Sequence, residues 1–235
     1  IYTLSLHDAL PIFMLQPRYL LHTGEGDRFG EAVHHIDVYA FDSLGIYRKM
    51  FRDKGAHLKN GYRMPIDLPE GKWTLLCLGG KVGDYEIGIF KTGIPQQFSP
   101  AVSPGITTLS DFRVKAYFEQ KENLEYSLGE LFFGRLDSVE ITADNGGTGV
   151  VDLMKNTNKI EVRVKGIADG SSARITSDNG RFNSENVTPA DAGTIIYVPY
   201  YSASQADDTR VFQFDVLRLY TDGHLFLKLL NPDGT

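Results

Sequence analysis

Val150-Val151-Asp152-Leu153-Met154-Lys155-Asn156-Thr157-Asn158-Lys159-Ile160-Glu161-Val162-Arg163-Val164-Lys165-Gly166 is the stretch whose pattern decides the fold class of this chain. Ile160, Val162 and Val164 alternate with Lys159, Glu161, Arg163 and Lys165. Successive side chains of an extended backbone point to opposite faces, so the alternation predicts a strand with one buried and one solvated face, at the surface of a sandwich.

Moving toward the N-terminus, the same period of two recurs. Val33 to Phe41 and Ile46 to Phe51 flank the turn residues Asp42-Ser43-Leu44-Gly45, and Tyr62, Met64, Ile66 and Leu68 alternate with Arg63, Pro65 and Asp67. Leu68-Pro69-Glu70-Gly71 makes a tight connection into Trp73 to Leu78, which is apolar on both sides and predicts a strand covered on both faces. Asp84 to Lys91 and Thr107 to Phe118 continue the series. The loop between them, Thr92 to Gly105, holds Pro95, Pro100 and Pro104 and is expected to lie outside any helix or strand interior. Glu122 to Leu131 is the helical candidate, although Gly129 costs about 1 kcal/mol relative to Ala inside a helix.

Toward the C-terminus, Asp178-Asn179-Gly180 and Asp222-Gly223 each lie between strand-like runs and predict two-residue hairpins. Gly193 to Pro199 and Thr209 to Tyr220 read as strands; the second changes its apolar face after Val216, which predicts a bulge there. Leu225, Leu227 and Leu229 close the series. About eight to twelve short strands at this spacing predict an all-β chain of two tandem β-sandwiches. Thr142 to Gly149, rich in Gly and without a large apolar side chain, marks the expected boundary between residues 14–142 and residues 149–235.

Residues 1–13 are set apart from the fold. Ile1-Tyr2-Thr3-Leu4-Ser5-Leu6-His7-Asp8-Ala9-Leu10-Pro11-Ile12 reads as one frame of a translated sequencing-adapter oligonucleotide, an artefact to be excluded before structural reasoning. Asn231-Pro232-Asp233-Gly234-Thr235 is turn chemistry where a hairpin partner is expected to follow, so the second domain is expected to be incomplete.

Composition narrows the function classes. Of the 235 residues, 42% are hydrophobic and 11% aromatic, enough to build real cores. The formal charge of −6, with 24 basic residues scattered among 30 acidic ones, argues against a nucleic-acid partner. No run of about 18 apolar residues is present to cross a bilayer as a helix. The one cysteine, Cys77, sits within Trp73-Thr74-Leu75-Leu76-Cys77-Leu78 and reads as a buried structural thiol.

Motifs for chemistry fail on spacing. Gly24-Glu25-Gly26-Asp27-Arg28-Phe29-Gly30 lacks the last interval of a dinucleotide fingerprint and precedes a strand, so no cofactor is expected. His34 and His35 are adjacent, hence on opposite faces of a strand and unable to share a metal ion. Asp144-Asn145-Gly146 lacks the alternating carboxylates of a calcium loop. Asp67 with Glu70, Asp84 with Glu86, and Asp207 with Asp208 are close only in sequence and read as solvated charge, not as the acid and base of a glycosidase. No catalytic residue and no metal site is assigned. Among the aromatic residues, Tyr197-Val198-Pro199-Tyr200-Tyr201 cannot all point inward around the proline, and Tyr200 and Tyr201 form a candidate contact surface.

A family resemblance runs through the whole pattern. His34-His35-Ile36-Asp37-Val38-Tyr39-Ala40-Phe41-Asp42, Met64-Pro65-Ile66-Asp67-Leu68-Pro69-Glu70-Gly71-Lys72-Trp73, Leu131-Phe132-Phe133-Gly134, Leu153-Met154-Lys155-Asn156-Thr157-Asn158-Lys159-Ile160 and Asp215-Val216-Leu217-Arg218-Leu219 occur in the order in which the fimbrillin-associated anchoring subunits of Bacteroidetes-type bacteria carry them. The chain resembles that family. The resemblance implies two Greek-key, transthyretin-like sandwiches and a non-enzymatic fimbrial anchor or accessory subunit that contributes to cell adhesion. It also implies a surface-exposed lipoprotein of the cell outer membrane, attached through a lipidated N-terminus that this sequence does not include. Its partner would be a fimbrial shaft subunit, joined by β-strand addition, in which backbone hydrogen bonds give strength and alternate side-chain pockets give selectivity. The competing reading from another class is a carbohydrate-binding β-sandwich module of a surface glycan-uptake system.

Overall fold

The computed structural model describes residues 12–20, 24, 26–91, 97–116, 123–124, 127–142, 146–205, 207–220 and 223–235. In chain order the strands are β1 (Ile12–Tyr19), β2 (His35–Phe41), β3 (Tyr47–Lys54), β4 (Met64–Asp67), β5 (Gly71–Gly80), β6 (Tyr85–Lys91), β7 (Gln97–Ser99), β8 (Phe112–Ala116) and β9 (Asn123–Leu124). They continue with β10 (Leu131–Ile141), β11 (Thr148–Lys155), β12 (Thr157–Lys165), β13 (Ser172–Ser177), β14 (Arg181–Asn183), β15 (Ile195–Tyr197), β16 (Tyr201–Ser204), β17 (Thr209–Leu217) and β18 (Leu225–Leu230). A single helical turn, α1 (Phe29–Ala32), precedes β2. The all-β expectation holds.

The chain forms two compact units. The first comprises residues up to Gly80 together with Val102–Ser110 and Phe132–Met154; the second comprises Lys81–Ala101, Asp111–Leu131 and Lys155–Thr235. This interleaving differs from the consecutive division into 14–142 and 149–235. β6, β7 and β8 pack with the later strands because β14 pairs with β8 rather than with a sequence neighbour.

In the first unit seven strands are hydrogen-bonded in the order β3-β2-β5-β10-β11-β1-β4. Side chains from both ends of this order, Phe13 and Leu15 of β1 with Ile36 and Val38 of β2 and Leu75 and Cys77 of β5, share one core. A sheet whose two ends meet in one core is folded over on itself as a sandwich. The turn between β2 and β3 follows from its residues: Asp42 Oδ1 accepts the N–H groups of Leu44 and Ile46 at 2.9 and 3.0 Å, and Gly45 supplies φ 71°. β5 is covered on both faces, as its sequence predicts, with Leu75, Leu76, Cys77 and Leu78 all inaccessible to solvent.

β1 begins inside the stretch set apart as an artefact. Ile12 pairs with Asp67, and Phe13 is buried against the core. Residues 1–11 lie outside the described residues.

The glycine-rich stretch before β11 serves β1 rather than separating domains. A Cβ on Gly149 would overlap the Phe13 ring, and one on Gly146 would overlap the Ile12 backbone. Gly147 O accepts the Met14 N–H at 3.0 Å, so these glycines let β1 lie parallel against β11. The chain passes between the units after Gly80, Ala101, Ser110, Leu131 and Met154, and Asn156 is fixed within the second unit. Its N–H donates to Leu131 O at 2.7 Å, and its own carbonyl accepts the Arg218 N–H at 2.8 Å.

Three other expectations fail for tertiary reasons. Glu122 to Leu131 contains no helix among its described residues: Asn123–Leu124 pairs parallel with β15, and the Gly129 N–H and C=O are taken by Asp84 Oδ2 at 2.8 Å and Tyr85 Oη at 2.6 Å. The proline-bearing loop contains β7, an edge strand of the sheet β14-β8-β6-β7 that fits between Pro95 and Pro100 and hence needs no proline within it. β17 has no bulge at Val216, because its register with β12 is continuous from Thr209 to Leu217; its apolar residues appear on both faces because Phe214, Asp215, Val216 and Leu217 are all buried.

Cys77 is fully buried, and burial alone pushes its thiol up to about 12. The thiolate is the reactive form, so native protein at pH 8 is expected to resist a disulfide-exchange reagent and to label fully only once denatured. Rapid labelling of native protein would contradict this placement.

Candidate functional site

Two sheets of the second unit, β12-β17-β16 and β18-β13-β15-β9, face one another. The Leu217 N–H of β17 donates to Tyr197 Oη of β15 at 3.1 Å, and Arg210 Nη1 of β17 donates to Ser171 O, next to β13, at 3.1 Å. β13 and β15 therefore lie over β17. Only residues 198–200 separate β15 from β16, which places β15 toward β16 and leaves β18 on the side of β12. Among the described residues β12 and β18 each pair on one side, with β17 and β13 respectively.

The side chains at this edge point toward the core without being enclosed by it. Leu225, Leu227 and Leu229 stand opposite Ser177, Ile175 and Ala173, which are buried, so the leucines share the inward face of their sheet. Yet they are 39%, 45% and 40% exposed. On β12, Ile160 and Val162 register with the buried Phe214 and Phe212, but Ile160, Val162 and Val164 are only half-buried. The predicted alternation on β12 is present; its apolar face is half-covered. Two inward apolar rows, each beside a free strand edge, form the candidate site. Such an edge is a template for another strand.

The residues singled out by sequence lie elsewhere. Tyr201 is 48% exposed at the start of β16, the strand at the opposite end of its sheet from β12. Tyr200 is half-buried, its N–H donating to Gln213 O at 3.0 Å and its hydroxyl to Gln213 Oε1 at 3.3 Å, so the expected exposed pair is one exposed ring. His34 is exposed, whereas the His35 ring meets the fully buried Asp37, which Arg52 also clamps at 2.7 Å through both carboxylate oxygens. Among the described residues no group of three or more His, Cys, Asp or Glu is placed to hold a metal ion. Asp67 pairs with Lys49, Glu86 with Lys115 and Asp207 with Lys165, as carboxylates on sheet surfaces commonly do. Asp144 and Asn145 of the weak calcium motif, and Tyr117 and Phe118, lie outside the described residues. No helix among the described residues is long and apolar enough to cross a membrane.

Sequence reasoning missed the β12 and β18 rows as a site because alternation reports which residues share a face. It does not report whether another layer covers that face.

The model of the family described as fimbrillin-A associated anchor proteins Mfa1 and Mfa2 matches residues 11–235. Among solved structures, a Bacteroides thetaiotaomicron protein provisionally described as polysaccharide binding is 20% identical with a TM-score of 0.77, over 95% of this chain and 77% of that one. The fimbrial anchor protein Mfa2 from Porphyromonas gingivalis is 19% identical with a TM-score of 0.72, over 94% of this chain and 78% of that one. A provisionally described adhesin from Bacteroides ovatus is 21% identical with a TM-score of 0.76, over 97% of this chain and 76% of that one. At these identities the likeness is one of fold. No curated protein matches the chain.

Proposed function

Because the chain belongs to the fimbrillin-A associated anchor protein family, we propose that it is a non-enzymatic fimbrial anchor or accessory subunit that holds a fimbrium to the outer membrane. In this reading a shaft subunit donates a β-strand to the edge formed by β12 and β18, and the membrane is engaged through a lipidated N-terminus. Cell adhesion then depends on how firmly the fimbrium is seated. The observation that carries the proposal is the pair of half-covered inward rows, Ile160, Val162 and Val164 with Leu225, Leu227 and Leu229. Fully burying a Leu or Val side chain is worth about 1.5–3 kcal/mol, so a strand with alternating apolar residues gains several such terms in addition to its backbone hydrogen bonds. Tyr201 is a separate contact in the same reading.

Cys77 is buried, so a cysteine introduced at position 227 is the accessible thiol for a photo-crosslinker. Leu227→Cys carrying the crosslinker is expected to join covalently to the shaft subunit of the same fimbrial system, and Lys72→Cys on the first unit is expected not to. Equal crosslinking from both positions, or none from position 227, would reject the strand-addition reading.

A further inference from the structure

Beyond strand addition, the second unit carries a half-open cleft of about 470 Å³ lined by Asp178, Thr188, Ala192, Gly193, Thr194 and Tyr220 among others. We propose that this cleft is a binding site for a neutral saccharide of one or two sugar units. Its size lies within the range of about 300–1,000 Å³ typical of small-molecule sites.

The lining chemistry selects the ligand class. Among the described residues Thr188 Oγ1 is buried with no hydrogen-bond partner, an arrangement that costs free energy until a donor or acceptor reaches it. Asp178 accepts the His224 N–H through Oδ1 at 3.1 Å, and its Oδ2 meets His224 Nδ1 at 3.0 Å. These bonds, the His224 ring first, hold the Asp178 carboxyl below its usual range, so it is an ionised acceptor at neutral pH with lone pairs left for ligand hydroxyls. Tyr220 is fixed in place by donating its hydroxyl to Asn186 O at 2.8 Å, with the Arg218 guanidinium over its ring at 5.0 Å. An aromatic side chain so held offers a surface for sugar C–H groups.

Other classes fit less well. Among the described residues the lining holds no Lys, Arg or His, and its charged group is the Asp178 carboxylate, which opposes an anionic ligand. A purely apolar ligand would leave the Thr188 hydroxyl unpaired and take the remaining lone pairs of Asp178 out of water. A ligand rich in hydroxyl groups satisfies all of these groups at once.

The test is saturation-transfer NMR on the full chain with galactose, mannose, N-acetylglucosamine and lactose, each at about 10 mM, a level suited to millimolar binding. N-acetylneuraminic acid is the anionic comparison. Transfer to at least one neutral sugar is expected, weakened about tenfold in Thr188→Val, the worth of one good hydrogen bond, and abolished in Ala190→Trp, which fills the rim from an exposed position. Both variants must retain the native circular dichroism and melting transition, and Ala190→Trp serves where Thr188→Val fails to fold. The proposal falls if no neutral sugar receives saturation, if transfer is unchanged in folded Ala190→Trp, or if the anionic sugar binds as well as the neutral ones. Crosslinking at position 227 is independent of all three outcomes.

Discussion

Replacing both Val162 and Leu227 with Asp is expected to weaken capture of the fimbrial shaft subunit by at least about 100-fold, with little change in the stability of the isolated chain. Each position contributes an apolar side chain that a donated strand would bury, worth about 1.5 kcal/mol at the low end. Two such losses, at 1.4 kcal/mol per factor of ten, give about two orders of magnitude before any cost of burying a carboxylate is added. The isolated chain does not bear the same loss. Leu227 is 45% exposed and Val162 half-buried, so new charges there stay in contact with water. Substitutions of that kind usually change stability by about 0.5 kcal/mol or less. Surface-immobilised capture assays alongside thermal unfolding separate the two effects. Undiminished capture by a folded double variant would show that the partner seats elsewhere.

Asn179→Ala is expected to destabilise the second unit by about 2–4 kcal/mol, a sum of several buried groups left unpaired. Asn179 is 4% exposed. Its Nδ2 donates to the carbonyls of Leu217 and Arg218 at 3.0 and 3.1 Å, and its Oδ1 accepts the Tyr197 hydroxyl at 2.9 Å. Tyr197 is itself fully buried and accepts the Leu217 N–H at 3.1 Å. One amide therefore joins the segment after β13 to β15 and to the end of β17. Tyr197→Phe is expected to cost less, about 1–2 kcal/mol, because it removes one hydroxyl and keeps the ring in place. The double variant should fall short of the sum of the singles, since both remove the same bond. Additive losses in urea unfolding would show that the two residues act separately.

Asn179 also shows where sequence reasoning stops. Asn-Gly between strand-like runs predicts a type I′ hairpin, which requires positive φ at both turn residues. Neither Asn179 nor Gly180 has positive φ, and the strands on either side belong to different sheets, β13 with β15 and β18, and β14 with β8. The dipeptide was chosen for a buried amide, which a local rule cannot distinguish from a turn. At Asp42 to Gly45 the same kind of reasoning succeeds, because the side chain, the acceptor and the positive φ all lie within a few residues of one another. Gly129, Gly146 and Gly149 fail for the opposite reason: the groups they make room for lie far away in sequence, at Lys81, Ile12 and Phe13.

The strands β2, β3, β4, β12 and β18 and the two-sided burial of β5 were legible in the sequence alone, since each depends on side chains repeating along a few consecutive residues, whereas β1, β7 and β9 were not. The order of family words likewise survived as a one-dimensional signal. Only the tertiary structure decided which strands share a sheet, where the chain passes between units, and that the inward rows of β12 and β18 are only half-covered. Coverage is a property of distant segments brought together, and the period of a strand is the same whether its apolar face is packed or waiting for a partner.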